Sequence, residues 1–409
     1  MNRSAAHLLV PSGVDPWVLR LLLARALRGF ADGFVAVLLP AYLLALGFGQ
    51  LDVGFLSTAT LAGSALATLA VGALGHRWAP RRLLQAAAWL MAATGVAFAG
   101  LTSFWPLVVV AFVGTLNPSS GDVSVFLPLE HAHLAGAAAG HARTALFARY
   151  SLAGSLSAAV GALAAALPPW LATRAGVPLE TGLRAMFALY GLIGAAIWLL
   201  YRGLPASQEG VAQAPTPLGP SRGIVVRLAA LFSVDAFAGG LVVNSLLALW
   251  LFERFGLSLA QAGLFFFVTG LLSAASQLAA PLVARRIGLL NTMVFTHIPA
   301  NLCLMVAAFA PTLPIVLGLL FVRSALSQMD VPTRTAFVMA VVTPAERSAA
   351  ASFTAVPRSL AAAVSPTLAG AWMAAGWLAA PLFACGGLKI AYDLALLLAF
   401  RRVRLPDGD

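Results

Sequence analysis

The sequence predicts an all-α polytopic membrane protein, with twelve transmembrane helices arranged as two pseudo-symmetric six-helix bundles. Three observations carry that prediction. The 409-residue chain is 61% hydrophobic and only 10% charged, with a mean hydropathy of +0.92, whereas soluble domains carry about 25% charged residues. Apolar runs of about 20 residues, enough to cross about 30 Å of hydrocarbon as a helix, recur along the whole length. The second half of the chain also repeats the first. A membrane barrel would instead show alternating segments of about 10 residues, and the sequence shows none.

Taken in order, the predicted spans cover about 17–46, 51–75, 83–101, 107–128, 144–167 and 183–203, then 224–252, 259–282, 289–311, 314–341, 349–374 and 381–400; they are called spans 1 to 12. Turn signals separate them, among them "LGFGQLD", "TSFWP", "LPPW", "FGLS", "APTLP" and "AAGW". The longest linker, "LPASQEGVAQAPTPLGPSR", is rich in Pro, Gly, Ala and Gln. The expected domains are therefore an N-terminal bundle at 1–203, a linker at 204–222 and a C-terminal bundle at 223–409.

Charge placement gives an orientation. With a cytoplasmic amino terminus, the inner loops collect Arg77, Arg81, Arg82, Arg143, Arg202, Arg222, Arg285, Arg286, Arg347, Arg401, Arg402 and Arg404. The outer loops hold little beyond Arg174 and Arg254. By the positive-inside rule both termini are cytoplasmic, in a plasma (inner) membrane, and the linker lies on that side too. The net charge of +11, from 25 Lys+Arg against 14 Asp+Glu, follows from this bias, so nucleic acid is not an expected partner. Two cysteines, Cys303 and Cys385, exclude a disulfide framework or zinc site by number. The first apolar run is too long and too arginine-rich for a cleaved signal peptide. The only lysine is Lys389, which rules out a P-loop ATPase; neither enzyme activity nor a cofactor or metal is expected.

The internal repeat rests on four matches in the same order. "LGFGQLDVGFL" matches "RFGLSLAQAGLF", setting Gly47 and Gly54 against Gly256 and Gly263. "GALGHRWAPRRLL" matches "PLVARRIGLLN". "SSGDVSVFLP" matches "SQMDVPTRTA", setting Asp122 against Asp330. "ARTALFARYSLAGSLSAAVG" matches "ERSAAASFTAVPRSLAAAVS", setting Arg143 against Arg347.

Two six-helix halves in parallel repeat, joined by a cytoplasmic linker, resemble the major facilitator superfamily. "GALGHRWAPRRLL" is similar to its signature loop G-x-L-A-D-R-x-G-R-R through Gly72, Leu74, Arg77, Arg81 and Arg82, with His76 in place of the usual Asp and Ala79 in place of a Gly. The resemblance implies a cytoplasmic gating role for Gly72, His76, Arg77, Arg81 and Arg82, and alternating access to a midplane site between the halves, with spans 1, 4, 7 and 10 around it. "SPTLAG" in span 11 faintly resembles an antiporter patch of the family, although it reads first as small-residue helix packing.

Depth singles out the candidate site. Arg28 and Asp32 lie about 11 and 15 residues into span 1, roughly 16–22 Å at 1.5 Å per residue. An ion facing lipid there costs several kcal/mol, so these groups must face protein or water. The same reasoning selects Asp122, Asp235, Arg323 and Asp330, with Arg149 and Arg358 as charge partners for Asp122 or Asp330. Arg28 and Asp32, one turn apart, also fit a self-neutralising pair, as do Lys389 and Asp393 in span 12. Glu130 and Glu346 fit cytoplasmic latches to Arg143 and Arg347. His131, His133 and His141 read as a solvated loop rather than a metal site, and His297 as a packed histidine. A carboxylate removed from water accepts a proton more readily, so Asp32 and Asp235 are the leading candidates for proton coupling.

The expected function is secondary active transport of a small organic solute, with protons as coupling ion and efflux by antiport as direction, in a monomer. Uptake or exchange of an organic anion, suggested by Arg28, Arg323 and Arg358, is the alternative. A non-transporting receptor or scaffold is the remote one.

Overall fold

The computed structural model describes residues 15–119, 124–137, 140–205, 219–343 and 346–401. Every regular element among them is helical. In chain order these are α1 (Val18–Ala45), α2 (Gln50–Leu74), α3 (Pro80–Gly100), α4 (Phe104–Val113), α5 (Phe126–Ala137), α6 (Gly140–Leu163), α7 (Leu167–Ala175), α8 (Leu179–Arg202), α9 (Arg222–Gly240), α10 (Asn244–Phe255), α11 (Leu259–Ile287), α12 (Leu289–Ala307), α13 (Leu313–Ser327), α14 (Asp330–Val341), α15 (Arg347–Ala374) and α16 (Ala380–Phe400). Most overlap the predicted segments, but α7 lies in the predicted gap between spans 5 and 6 and most of α5 lies beyond the predicted end of span 4; nine candidate spans among the described residues are long and apolar enough to cross a membrane.

Three charge-bearing spans are interrupted rather than continuous. Span 4 breaks between α4 and α5 at "GTLNP", where a proline disfavours helix at the residue before it and Asn117 Oδ1 accepts hydrogen bonds from the Ser119 amide (3.1 Å) and hydroxyl (2.7 Å). Span 7 breaks after Gly239 and Gly240, poor helix formers. Span 10 breaks at Gln328 and Met329, because Pro332 in the first turn of α14 has no amide to return to the preceding turn. Interrupted backbone at membrane depth is tolerated only inside protein or beside water. Span 1, by contrast, is one continuous helix that absorbs Pro40.

The chain divides into two compact units. The first takes the described residues of Met1–Gly49, Ala59–Ala212 and Leu257–Phe267, and the second those of Gln50–Thr58, Gln213–Gly256 and Val268–Asp409. In the first, α1 packs on α6 and α8, and α3 packs on α8. In the second, α9 packs on α15 and α16, and α12 packs on α13, α14 and α16. Small residues allow these contacts: a Cβ at Gly33 would overlap the Ala158 backbone, and one at Gly240 would overlap Ala362 and Ser365.

The repeat glycines keep matched roles. Gly47 and Gly256 end their helices at φ of +86° and +63°, a conformation that suits glycine. Gly54 meets the backbone of Pro366 and Gly370 within the second unit, and Gly263 meets that of Ala162 within the first. "SPTLAG" is thus a packing surface, and Thr367 adds a 2.8 Å hydrogen bond to Thr58. Trp105, Trp170 and Trp377 are exposed as interfacial residues should be, whereas Trp250 is fully buried beside Arg254.

Candidate functional site

Each unit builds a buried charge cluster on its own helices. In the first, Arg28 of α1 pairs with Glu130 of α5. Arg28 Nη2 donates to Glu130 Oε2 at 2.5 Å and Nη1 to Oε1 at 3.2 Å. The Tyr201 hydroxyl donates to Oε1 at 2.6 Å, and the Tyr150 hydroxyl donates to Oε2. The Phe126 ring, one turn before Glu130, lies 4.5 Å from the guanidinium. Arg28 is 2% exposed and Glu130 fully buried, so both carboxylate oxygens are satisfied inside protein. Asp32 is buried on the same helix.

Two expectations are corrected here. Arg28 pairs with Glu130, where the spacing had offered Asp32. Glu130 is no latch to Arg143, because the segment read as a cytoplasmic loop continues as α5. His133, on that helix, approaches its own Leu129 carbonyl through Nδ1, and His131 packs its ring on Phe147 and Tyr150. No group of metal-binding residues occurs among the described residues.

The second unit centres on Asp235 of α9. Lys389 Nζ of α16 donates to its Oδ1 at 2.6 Å, and Arg334 Nη2 of α14 to its Oδ2 at 2.8 Å. The same Nη2 also donates to Asp330, one turn earlier on α14. Phe232, on the Asp235 helix, places its ring 5.1 Å from the Arg334 guanidinium. Behind Lys389, Asp393 pairs with His297 of α12, whose Nδ1 lies 3.0 Å from each carboxylate oxygen. Arg358 of α15 is exposed yet within electrostatic reach of Arg334, Asp235 and Asp330.

The expected Lys389–Asp393 pair is therefore corrected: one turn apart on α16, the two reach different helices. The partner of Asp330 is Arg334, in place of Arg323, Arg149 or Arg358. Arg334 was missed, although its spacing of four from Asp330 in "DVPTR" is a helix-pair signal.

The remaining candidates are dispersed. Arg323 is half-buried near Cys385, its Nε without a hydrogen-bond partner and its guanidinium without an ion pair among the described residues. Arg149 is half-buried, and its Nη1 has no partner among the described residues. Gly72, Arg77 and Arg82 are exposed and Arg81 half-buried around the turn after α2. Asp122 and the side chains of His76 and His141 lie outside what is described.

Glu346, the other expected latch, instead caps the start of α9. It accepts from the Gly219 amide, from the Ser221 amide at 3.2 Å and from the Thr343 hydroxyl at 2.7 Å. Hydrogen bonding from Ser221 first, then Gly219 and Thr343, holds its carboxyl down to about 2. Arg347 turns to the Met339 carbonyl at 3.0 Å.

Comparison with known proteins agrees with this architecture. An uncharacterised membrane protein of Saccharomyces cerevisiae, YJR124C, is 23% identical, the match covering 91% of this chain and 92% of that one. The crystal structure of a D-xylose–proton symporter has a TM-score of 0.73 at 18% identity, over 96% of this chain and 99% of that one. A bacterial homologue of the human lysosomal transporter Spinster, inward-facing and occupied, gives 0.72 at 15%, over 95% and 96%. The nucleoside transporter NupG gives 0.70 at 14%, over 95% and 100%. The family model described as Major Facilitator Superfamily matches residues 21–322, and the chain belongs to that superfamily of secondary transporters.

Proposed function

We propose that this chain exports a small organic solute in exchange for protons, by alternating access, as a monomer with both termini cytoplasmic in the plasma membrane. The observation that supports this reading is Asp235: a buried carboxylate at hydrocarbon depth, shared between Lys389 and Arg334, with Arg334 shared in turn with Asp330. A cluster in which one cation serves two acids can exchange partners when a proton or a solute enters, without leaving an unpaired ion in a low-dielectric interior. The proton coupling stated for the D-xylose symporter is in keeping with this. In proteoliposomes with an imposed pH gradient, a screen of labelled organic solutes tests it: Asp235→Asn should reduce gradient-driven flux at least about tenfold. Equal flux in wild type and variant overturns the reading.

A second reading has its own support. Arg323 has no acidic partner among the described residues, and Arg358 adds a cation beside a cluster whose acids are already paired. An organic anion would complement these groups. Arg323→Ala would then abolish anion binding while Asp235→Asn leaves it intact, the reverse of the first outcome.

A further inference from the structure

We propose that the buried His297–Asp393 pair is the site that takes up the coupling proton, and that Lys389 reads it by choosing between two carboxylates. The inference rests on the proton-coupled reading above and assigns that proton to side chains outside the Asp235 hub. Lys389 and Asp393 stand four apart on α16 and so share one helix face. Lys389 presently reaches Asp235 at 2.6 Å, and Asp393 holds His297 at 3.0 Å. His297 and Asp393 are 3% and 0% exposed, so water cannot settle their charge.

Charge balance gives the switch its direction. With a proton on both ring nitrogens, His297 is an imidazolium that neutralises Asp393, and Lys389 is left to Asp235. When the imidazolium releases one proton, the ring keeps Nδ1–H toward Asp393, which now carries an uncompensated charge one turn from Lys389. The ammonium then has two acids to choose from. Moving to Asp393 leaves Asp235 to Arg334 alone. No bond to carbon is made or broken; one proton leaves Nε2, and it reaches water in a state that opens this side of the second unit, as alternating access requires.

The groups that act on the pair are few. Asp235 of α9 and Lys389 of α16 are within electrostatic reach of Asp393, and Asp235 also of His297; Arg334 and Asp330 of α14, with Arg358 of α15, reach Asp235 or Tyr392, and Arg323 of α13 reaches Cys385. Arg334 already serves both Asp330 and Asp235, whereas Lys389 serves Asp235 alone with Asp393 one turn away, so Lys389 is the cation with a partner to gain. The Tyr392 ring stands 6.4 Å from His297, edge-on.

Because Lys389 is the only lysine, selective 15N-lysine labelling gives one Nζ signal in the full chain in nanodiscs. The expected result is two limiting shifts joined by one pH-dependent inflection. Asp393→Asn and His297→Gln should each remove the inflection. A wild-type signal that does not move, or an inflection that survives both substitutions, overturns the proposal. The titration needs no solute, so it fails or stands independently of the flux experiment.

Discussion

The Arg28–Glu130 cluster and the Asp235–Arg334 cluster use the same parts with opposite sign. In the first unit the arginine is on span 1, and span 4 carries the aromatic ring and the acid, Phe126 and Glu130. In the second the arginine is on span 10, and span 7 carries Phe232 and Asp235. The surroundings differ. Glu130 accepts from one guanidinium and two tyrosines, which saturates it. Asp235 accepts from two cations, one of them shared with another acid and the other on the same face as Asp393. The repeat has kept the packing and varied the chemistry: one cluster is closed, the other has partners to exchange.

The strongest test of that contrast is Glu130→Ala. It strands a buried guanidinium, at a cost of about 3–5 kcal/mol, and should remove most folded protein in detergent-resistance or thermal-midpoint assays. Replacing the pair together, Arg28→Met with Glu130→Leu, should recover much of the loss. Next come Gly33→Val and Gly240→Val, each forcing a side chain into facing backbone at about 1–3 kcal/mol or more. Here the two units should respond alike, and a large difference between them in thermal midpoint would break the claim that packing is the repeated feature. Asp235→Asn should cost less stability than Glu130→Ala, about 1–2 kcal/mol, because Arg334 keeps Asp330, the amide oxygen can still accept from Lys389, and Lys389 stands one turn from Asp393. If it unfolds the protein as Glu130→Ala does, the second cluster is as structural as the first.

The smallest effect compares the two glutamates that resembled latches. Glu346 has a folded pKa of about 2, below the usual value of about 4.3. Its stabilising contribution is therefore complete above about pH 5 and is lost as pH falls toward 2. The difference in thermal midpoint between wild type and Glu346→Gln should be present at neutral pH and shrink below about pH 4. A constant difference would show that the carboxylate charge is irrelevant there.

Much of the architecture was legible because a bilayer imposes simple rules. Span length and the Gly47/Gly256 and Gly54/Gly263 matches anticipated most helices though not α7, and half-depth charge drew attention to Arg28, Asp235 and Asp330, each of which is buried. Partner choice was not legible. Spacing along one helix suggested Arg28 with Asp32 and Lys389 with Asp393, but Arg28 and Lys389 cross to helices 102 and 154 residues away along the chain. Glu130 was misplaced because the break at Asn117 lets span 4 restart later than an uninterrupted run would. Arg334 was overlooked although predicted span 10 contained it, because the depth argument followed Arg323 and Asp330 and did not ask what lay one turn beyond Asp330; α14 buries that arginine.

The exchange of short segments between the units also bears on how the protein is made. Residues 50–58 belong with the second unit and 257–267 with the first, so a ribosome that has synthesised only the first six spans has not supplied everything its product packs against. Fragments severed in the linker would each lack a short segment that groups with their own unit. Co-expressed, they should find one another; expressed singly, each should be a substrate for quality-control proteolysis.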